Sequence, residues 1–458
     1  MKQLNYFERR DKIYELFGKD IYQRYPLSSR VLNRFIRSKI HYGDLETESI
    51  KTEFQHDRGL KGFKKSLTYR LLCLLNLSLF RFKRNNQEKV LVSPSIFGRF
   101  EILGKQFKDH YNVYTLLCRK DVHFVLKSKI KDMIKIDQIT FSRKLQKLLP
   151  KIATSISKFI DNEKELNKRI LFQKLDVLEK TLSREVAKLS QLFINKKIKL
   201  YITAFDQIYN DTFSILACQK TGIKTKCIAH GGSTSGNIKT RPKTGCLPVI
   251  ADKLYVWSQE NYDSFKGYEE MKKIRIGGYP KFSKEYIEKM AKKYPKKKII
   301  TFYSEYILFD KRWMEAESKM REKLFKELKE IATKLRYQIY VRYHDKREEK
   351  VIRKEKKLLK ECGIKISRNP FIKDILQSEI NLGIDTSCLY EAKILGRRSF
   401  QLLLGDNEYD RIYFMKNYFM KNIEYINIDD IEKKLKEKVN NKPRYDLLMD
   451  VDSIINDP

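Results

Sequence analysis

The stretch 380–404, INLGIDTSCLYEAKILGRRSFQLLL, constrains the possible folds of this chain more than any other. A short apolar run ends at Gly383, Ile384 and Asp385; Thr386 and Ser387, both good helix N-cap types, come next. An apolar-periodic segment then runs through Leu395 to a stop at Gly396, and a second apolar run covers 400–404. Strand, tight turn, helix, glycine stop and strand form the pattern of a parallel α/β unit. The turn carries chemistry as well as shape. Two hydroxyls beside the free N–H groups of a helix start offer a site for phosphate oxygens. Glu391 follows Ser387 by one helical turn, so both can face one ligand. The plainer reading is an N-cap followed by a solvated glutamate; similar turns upstream favour the functional one.

At 458 residues the chain can hold two or three domains with substantial cores. Lys and Arg outnumber Asp and Glu 96 to 58, a net charge of +38. That excess points to a polyanionic neighbour: nucleic acid, an anionic membrane surface, or phosphate-bearing substrates. The lysines are spread along the whole chain, so part of the excess is compositional. Zinc-finger spacing and aromatic ribonucleoprotein motifs are lacking, which argues against a nucleic-acid partner. The seven cysteines are scattered and free of CxxC pairs, as expected of reduced thiols in a cytoplasmic protein. MKQLNYFERRDK at the start lacks a signal-peptide core, and no run reaches the roughly 18–20 apolar residues that a bilayer span needs.

Residues 1–85 read as a basic, aromatic-rich helical extension. Within it, 60–84 carries an apolar run bracketed by Lys61, Lys64, Lys65, Arg70, Arg81, Lys83 and Arg84. Such a segment suits either a packed helix or the membrane interface. A first Rossmann-like domain is expected over 86–283, opening with a strand at 90–92, a turn at 93–98, a helix at 99–109 and a strand at 113–117. A leucine-rich helical insertion covers about 141–195 and reads as packed helices or an arm. Strands are expected at 199–204, 225–229, 253–257 and 274–276. Pro295 and the lysines at 296–298 mark a seam, with a second domain over 284–458. Its strands are placed at 299–302, 338–341, 365–367, 380–383, 400–404 and 423–426. The expected architecture is therefore α/β: two Rossmann-like domains facing a cleft, with a helical basic N-terminal extension and a helical insertion.

In open α/β sheets ligands bind beyond the carboxyl ends of strands. Those ends carry Asp206, then His230 with Gly231, Gly232 and Ser233, then Gly278, Tyr279 and Pro280. They also carry Ser304 with Glu305, Arg342 with His344, and Thr386 with Ser387. Two of the six histidines in the chain sit at such positions. His230, followed by two glycines, permits close backbone approach and can bind a phosphate or act as a base near neutral pH; alternatively it caps its own turn. Arg342 and His344 can bind a diphosphate through charge-assisted bonds, or Arg342 can pair with Asp345 or Glu348. Asp206 is a candidate general base or a helix cap. Metal-ligand spacing is absent, so neither a metal nor any other cofactor is expected. The chain also lacks the GxxxxGK[ST] loop of P-loop kinases and ATPases.

The order of these motifs resembles that of GT-B fold glycosyltransferases of bacterial surface and capsular polysaccharide biosynthesis. The nearest group holds the CDP-glycerol glycerophosphotransferases and the capsule sialyl- and Kdo-transferases. The resemblance is carried by IAHGG at 228–232, KLYVWS at 253–258, GGYPKF at 277–282, RYH at 342–344 and DTSCLYEA at 385–392. It implies a donor domain at the C-terminal end, with His344 and the Thr386–Ser387 turn on the phosphates and Glu391 on the ribose or a neighbouring group. The N-terminal domain would hold the acceptor, with His230 or Asp206 deprotonating its hydroxyl. The chain departs from the group twice: its His-Pro pair is His344–Asp345 here, and its Asp-Tyr-Ser-Ser turn is Asp-Thr-Ser-Cys at 385–388.

The function expected from this resemblance is inverting, metal-independent sugar transfer. The donor would be a CMP-, CDP- or UDP-linked sugar and the acceptor a glycan or lipid-linked acceptor. Three rivals stay open: polyol-phosphate transfer from a CDP-alcohol, epimerisation of a nucleotide sugar, and noncatalytic polyanion binding. The expected location is cytoplasmic; if 60–84 is the interfacial alternative rather than a packed helix, it would hold the chain peripherally on the inner face of the membrane.

Overall fold

The computed structural model describes residues 24–28, 89–117, 133–135, 152, 168–204, 209–229, 249–263, 265–266, 269–304, 311–343, 349–384, 386–402, 423–437, 439 and 441–457. The segment 60–84 lies outside the described residues, as does all of 1–85 except 24–28.

Two parallel sheets organise the chain. The strands are β1 Lys89–Val92, β2 Asn112–Leu117, β3 Met133–Lys135, β4 Ile198–Thr203, β5 Lys224–Ile228, β6 Lys253–Val256, β7 Ile274–Ile276, β8 Ile299–Ser304, β9 Gln338–Tyr343, β10 Lys365–Ile366, β11 Ile380–Gly383, β12 Arg398–Leu402 and β13 Glu424–Ile426. The α-helices are α1 Pro94–Arg99, α2 Glu101–His110, α3 Lys168–Asn195, α4 Tyr209–Lys220, α5 Gln259–Asp263, α6 Lys284–Lys293, α7 Lys311–Leu335, α8 Glu349–Glu361, α9 Phe371–Gln377, α10 Ser387–Ile394, α11 Ile431–Lys436 and α12 Val451–Asn456.

The first sheet runs β3-β2-β1-β4-β5-β6-β7 and the second β10-β9-β8-β11-β12-β13. Every registered strand pair is parallel. The order 3-2-1-4-5-6 is that of a doubly wound nucleotide-binding sheet, and it occurs in each half. Both Rossmann-like domains expected from the sequence are thus present. Their central strands are apolar because helices cover both faces: β8 and β11 are buried along their whole length.

Local differences from expectation have simple causes. The turn foreseen at 93–98 is α1, because Ser93 caps it, accepting from the Ser95 N–H, and Pro94 fits the first helical position. Of the expected insertion, the part before Lys168 lies outside the described residues apart from Ile152, and Lys168–Asn195 is α3, a 28-residue helix. Leu175, Leu178, Leu182 and Leu189 bury one stripe of it in the main core, beside β4 and α4. This helix is a packed layer of the first domain.

That main core does not stop at the domain boundary. It joins Trp257, Phe265 and Tyr279 to Ile372, Ile375, Leu389, Tyr390 and Ile394 of the second half. The chain also crosses back at its end. Tyr279 pairs with Leu448 as an isolated parallel bridge, and Met449, Val451 and Ile454 enter the core under β1, β4 and β6. Gly278 makes the crossing feasible. Its φ is +86°, and a Cβ there would lie 2.5 Å from the Leu448 carbonyl oxygen.

Candidate active site

In a doubly wound sheet the strand order reverses between the first and fourth strands, and ligands bind outside the carboxyl ends at that point. Here the reversals fall between β1 and β4 and between β8 and β11. The second lies at the 380–404 stretch. Register aligns Arg342, Tyr303 and Gly383 across β9, β8 and β11. Ser304 follows Tyr303, and the Thr386 turn follows Gly383.

Thr386 is buried and caps α10, its Oγ1 accepting from the Cys388 N–H at 3.3 Å. The backbone comes close enough because residue 383 is glycine; a Cβ would meet Thr386 Cγ2 at 2.5 Å. Ser387 is the first helical residue and is half-buried. One turn on, Glu391 is 1 % exposed. The Lys281 ammonium donates to its Oε1 at 2.6 Å, while Oε2 makes no hydrogen bond among the described residues. Lys281 belongs to the GGYPKF stretch, so this ion pair ties that stretch to α10 of the second domain. Burial, then the neighbouring Glu391 carboxylate, push the Tyr279 phenol well above its ordinary range.

Aromatic rings line the same joint. Trp257 meets Tyr279 edge-on at 4.8 Å and stacks on Tyr390 of α10 at 6.0 Å. The Trp257 indole N–H donates to the Ala229 carbonyl at 2.6 Å. Ala229 immediately precedes His230, so the exit of β5 is held one side chain away from α10.

The other predicted positions fall into three groups. Ser304 is buried, and its Oγ accepts from Arg321 Nη1 at 2.6 Å; Arg321 also pairs with Glu355, which accepts from the Tyr343 hydroxyl. Arg342 donates to the Asn369 carbonyl at 2.7 Å and to Asp374 at 2.8 Å, so its partner is neither of the acids weighed from the sequence. Gly278 and Tyr279 stand at the crossing of the chain end and at the joint with Glu391. Asp206, His230, Gly231, Gly232, Ser233 and His344 lie outside the described residues.

Sequence reasoning missed several polar residues here. At the first reversal, Asp211 accepts from Ser93 Oγ and from the Tyr201 hydroxyl, each at 2.7 Å. Ser95 Oγ lies 2.8 Å from Ser93 Oγ and accepts from the Ala204 N–H at 3.4 Å. The serines stood in a stretch expected only as a turn; Asp211, over a hundred residues later, had no local signal. Lys281 and Trp257 lay inside quoted motifs and could have been singled out as the one charge and the one indole there.

Among the described residues no group of three or more His, Cys, Asp or Glu could hold a metal ion, and no helix is long and apolar enough to cross a membrane.

No protein-family model matches the chain, and no curated protein matches it. Solved structures resemble it at low identity. A UDP-N-acetylglucosamine 2-epimerase shares 13 % identity over 82 % of this chain and 89 % of its own, with a TM-score of 0.43. The UDP-GlcNAc 2-epimerase of Methanocaldococcus jannaschii shares 12 % over 78 % and 95 %, also with a TM-score of 0.43. The wall teichoic acid polymerase TagF shares 14 % over 83 % and 89 %, with a TM-score of 0.40. No residue correspondence follows from likenesses of this size.

Proposed function

We propose that the chain is a glycosyltransferase that moves a sugar from a nucleotide-linked donor to a cell-surface polysaccharide or glycolipid acceptor. The observation that carries this reading is the Thr386-capped turn at the strand-order reversal of the second sheet, with buried Glu391 one helical turn behind it. A helix start with hydroxyls suits the diphosphate or phosphate of a nucleotide, and a carboxylate one turn on suits ribose hydroxyls. In this reading residues 284–458 are the donor domain, residues 86–283 the acceptor domain, and 1–85 a basic extension that reaches the inner face of the membrane.

The reaction is one inverting displacement. The acceptor oxygen bonds to the anomeric carbon as the bond from that carbon to the donor phosphate breaks. His230 or Asp206 takes the acceptor proton, and the nucleotide leaves with the electron pair. Negative charge growing on the phosphate is met by the α10 N-terminus, Ser387 and the cations Arg342 and His344 without a metal ion. Gly278, Tyr279 and Ser304 complete the donor side, and Gly231, Gly232 and Ser233 shape the acceptor loop.

The test is a screen of CMP-, CDP-, UDP- and GDP-linked donors by thermal shift, followed by product mass spectrometry. A stabilising nucleotide sugar and a sugar-bearing product are expected; product bearing a polyol phosphate, or turnover without acceptor, points to another enzyme class. His230→Ala and His344→Ala should each lower kcat/KM on the order of 10²-fold while leaving the fold intact. Folded variants with wild-type transfer would remove both histidines from the mechanism.

A further inference from the structure

We propose that a cavity between α9 and the amino-terminal half of β8 and β9 binds a small oxyanion, a phosphate or a compact phosphomonoester. The cavity has a volume of about 150 Å³ and is lined in part by Lys297, Thr301, Tyr340, Lys373, Asp374 and Gln377. A space of that size holds a benzene-sized molecule. It is separate from the site described above, which lies at the carboxyl ends of the same strands; Ile299 and Ser304 are the two ends of β8.

The chemistry facing the cavity is rich in donors. Gln377 is only 8 % exposed, and its side-chain amide lines the cavity with no hydrogen bond among the described residues. An amide held in a largely buried wall presents its donors and acceptor to whatever fills the space, water or a ligand. The one carboxylate in the wall is not its partner. Asp374 accepts from Ser367 and Asn369 at Oδ1 and from Ser367 and Arg342 at Oδ2, so both oxygens are filled and its charge is paired. Lys297 is exposed and makes no ion pair among the described residues, and Lys373 spends one N–H on the Asn369 side chain. Two ammonium groups without an ion pair among the described residues and the Gln377 amide therefore converge on one space. Tetrahedral oxyanions match that set, because their oxygens accept several hydrogen bonds and their charge answers the lysines. An occupant would also sit beside the Asp374–Arg342 pair, which reaches the carboxyl end of β9.

The full-length chain, titrated calorimetrically with inorganic phosphate at fixed physiological ionic strength, tests this. A saturable site that persists in Ser387→Ala is expected. The double variant Lys297→Ala/Lys373→Ala, and separately Gln377→Glu, should each weaken binding at least tenfold with unchanged circular dichroism. Ser387→Ala, at the first residue of α10, should remove only binding at the donor turn and leave the cavity site as it was. Glycerol phosphate in a parallel titration identifies the source: tighter binding than phosphate marks a metabolite, equal binding the free ion. The proposal is overturned if wild type shows no saturable binding, if both cavity variants bind as wild type does, or if Ser387→Ala alone abolishes binding.

Discussion

Glu391 combines nearly complete burial with a single cationic partner, and that asymmetry decides what its replacement would do. Removing one member of a buried pair usually strands the other as an unpaired charge, at a cost of about 3–5 kcal/mol. Here Lys281 is 32 % exposed and can turn to water, so the penalty is smaller. Glu391→Gln should therefore lower unfolding free energy by about 1–3 kcal/mol in urea, with an unchanged m-value. Under the transferase reading it also raises the donor KM; a variant that binds donor normally would show that the carboxylate serves only the joint. Gly278 supplies a second test at this scale. Alanine there must accept a left-handed backbone and a Cβ pressed against Leu448. Gly278→Ala should cost about 1–3 kcal/mol, read as a lower urea midpoint.

Among the elements, α10 shows how local rules and long-range packing divide the labour. Its cap was legible: Thr386 followed a strand and preceded an apolar-periodic run, and Thr386→Ala should lose about 1 kcal/mol of stability in chemical denaturation. Its surroundings were not legible. Leu389, Tyr390, Glu391, Ala392 and Ile394 are all buried because one face meets the second sheet and another meets Trp257 and Tyr279. A single sequence shows that a helix is apolar without showing how many neighbours cover it. The strands were easier: Val90, Leu91 and Val92 are apolar and β-branched or leucine, and they form β1. Long-range pairs such as Ser93–Asp211 and Arg342–Asp374 leave no trace in spacing, so a turn at 93–98 was expected and the carboxylate that holds Ser93 was not. The docking of α12 is another such case. Lys226, on β5, is 4 % exposed and donates to the carbonyls of Ile454, Ile455 and Asp457. Burial, partly opposed by Asp457, lowers its pKa to about 8. Between that value and the ordinary lysine range the unfolded chain holds a proton that the folded chain has lost, so this group makes folding more favourable as pH rises. Compared with Lys226→Met, wild type should gain relative stability from pH 8 to 10 in paired urea melts. Parallel curves would place the ammonium in ordinary solvent.

For the molecule as a whole, the returning chain end sets how the two sheets are held. Residues 443–457 leave α10, where the Arg444 N–H donates to the Ile394 carbonyl, and end against the first sheet. On the way they pair with Tyr279 and fill the core with Met449, Val451 and Ile454. Asp457 then meets Lys253 and the Tyr255 hydroxyl at 2.5 and 2.6 Å. Each buried side chain of that size contributes about 1.5–3 kcal/mol, so three of them match a large part of an ordinary domain stability of about 5–15 kcal/mol. Deleting 443–458 would also expose the apolar floor under β1 and β6 and leave the Lys226 ammonium without its carbonyls. The truncated chain should melt at least ~10 °C below the full one or fail to stay soluble, since about 2–4 °C accompanies each kcal/mol at this size. Adding the missing segment as a peptide should recover part of the loss, because its partners are preformed on the sheet. A truncated protein that melts within about 2 °C of the intact chain, a difference worth no more than about 1 kcal/mol, would mean that the domains hold together without the strap. The joint would then rest on the Lys281–Glu391 pair and the core around Trp257, Tyr279 and Tyr390.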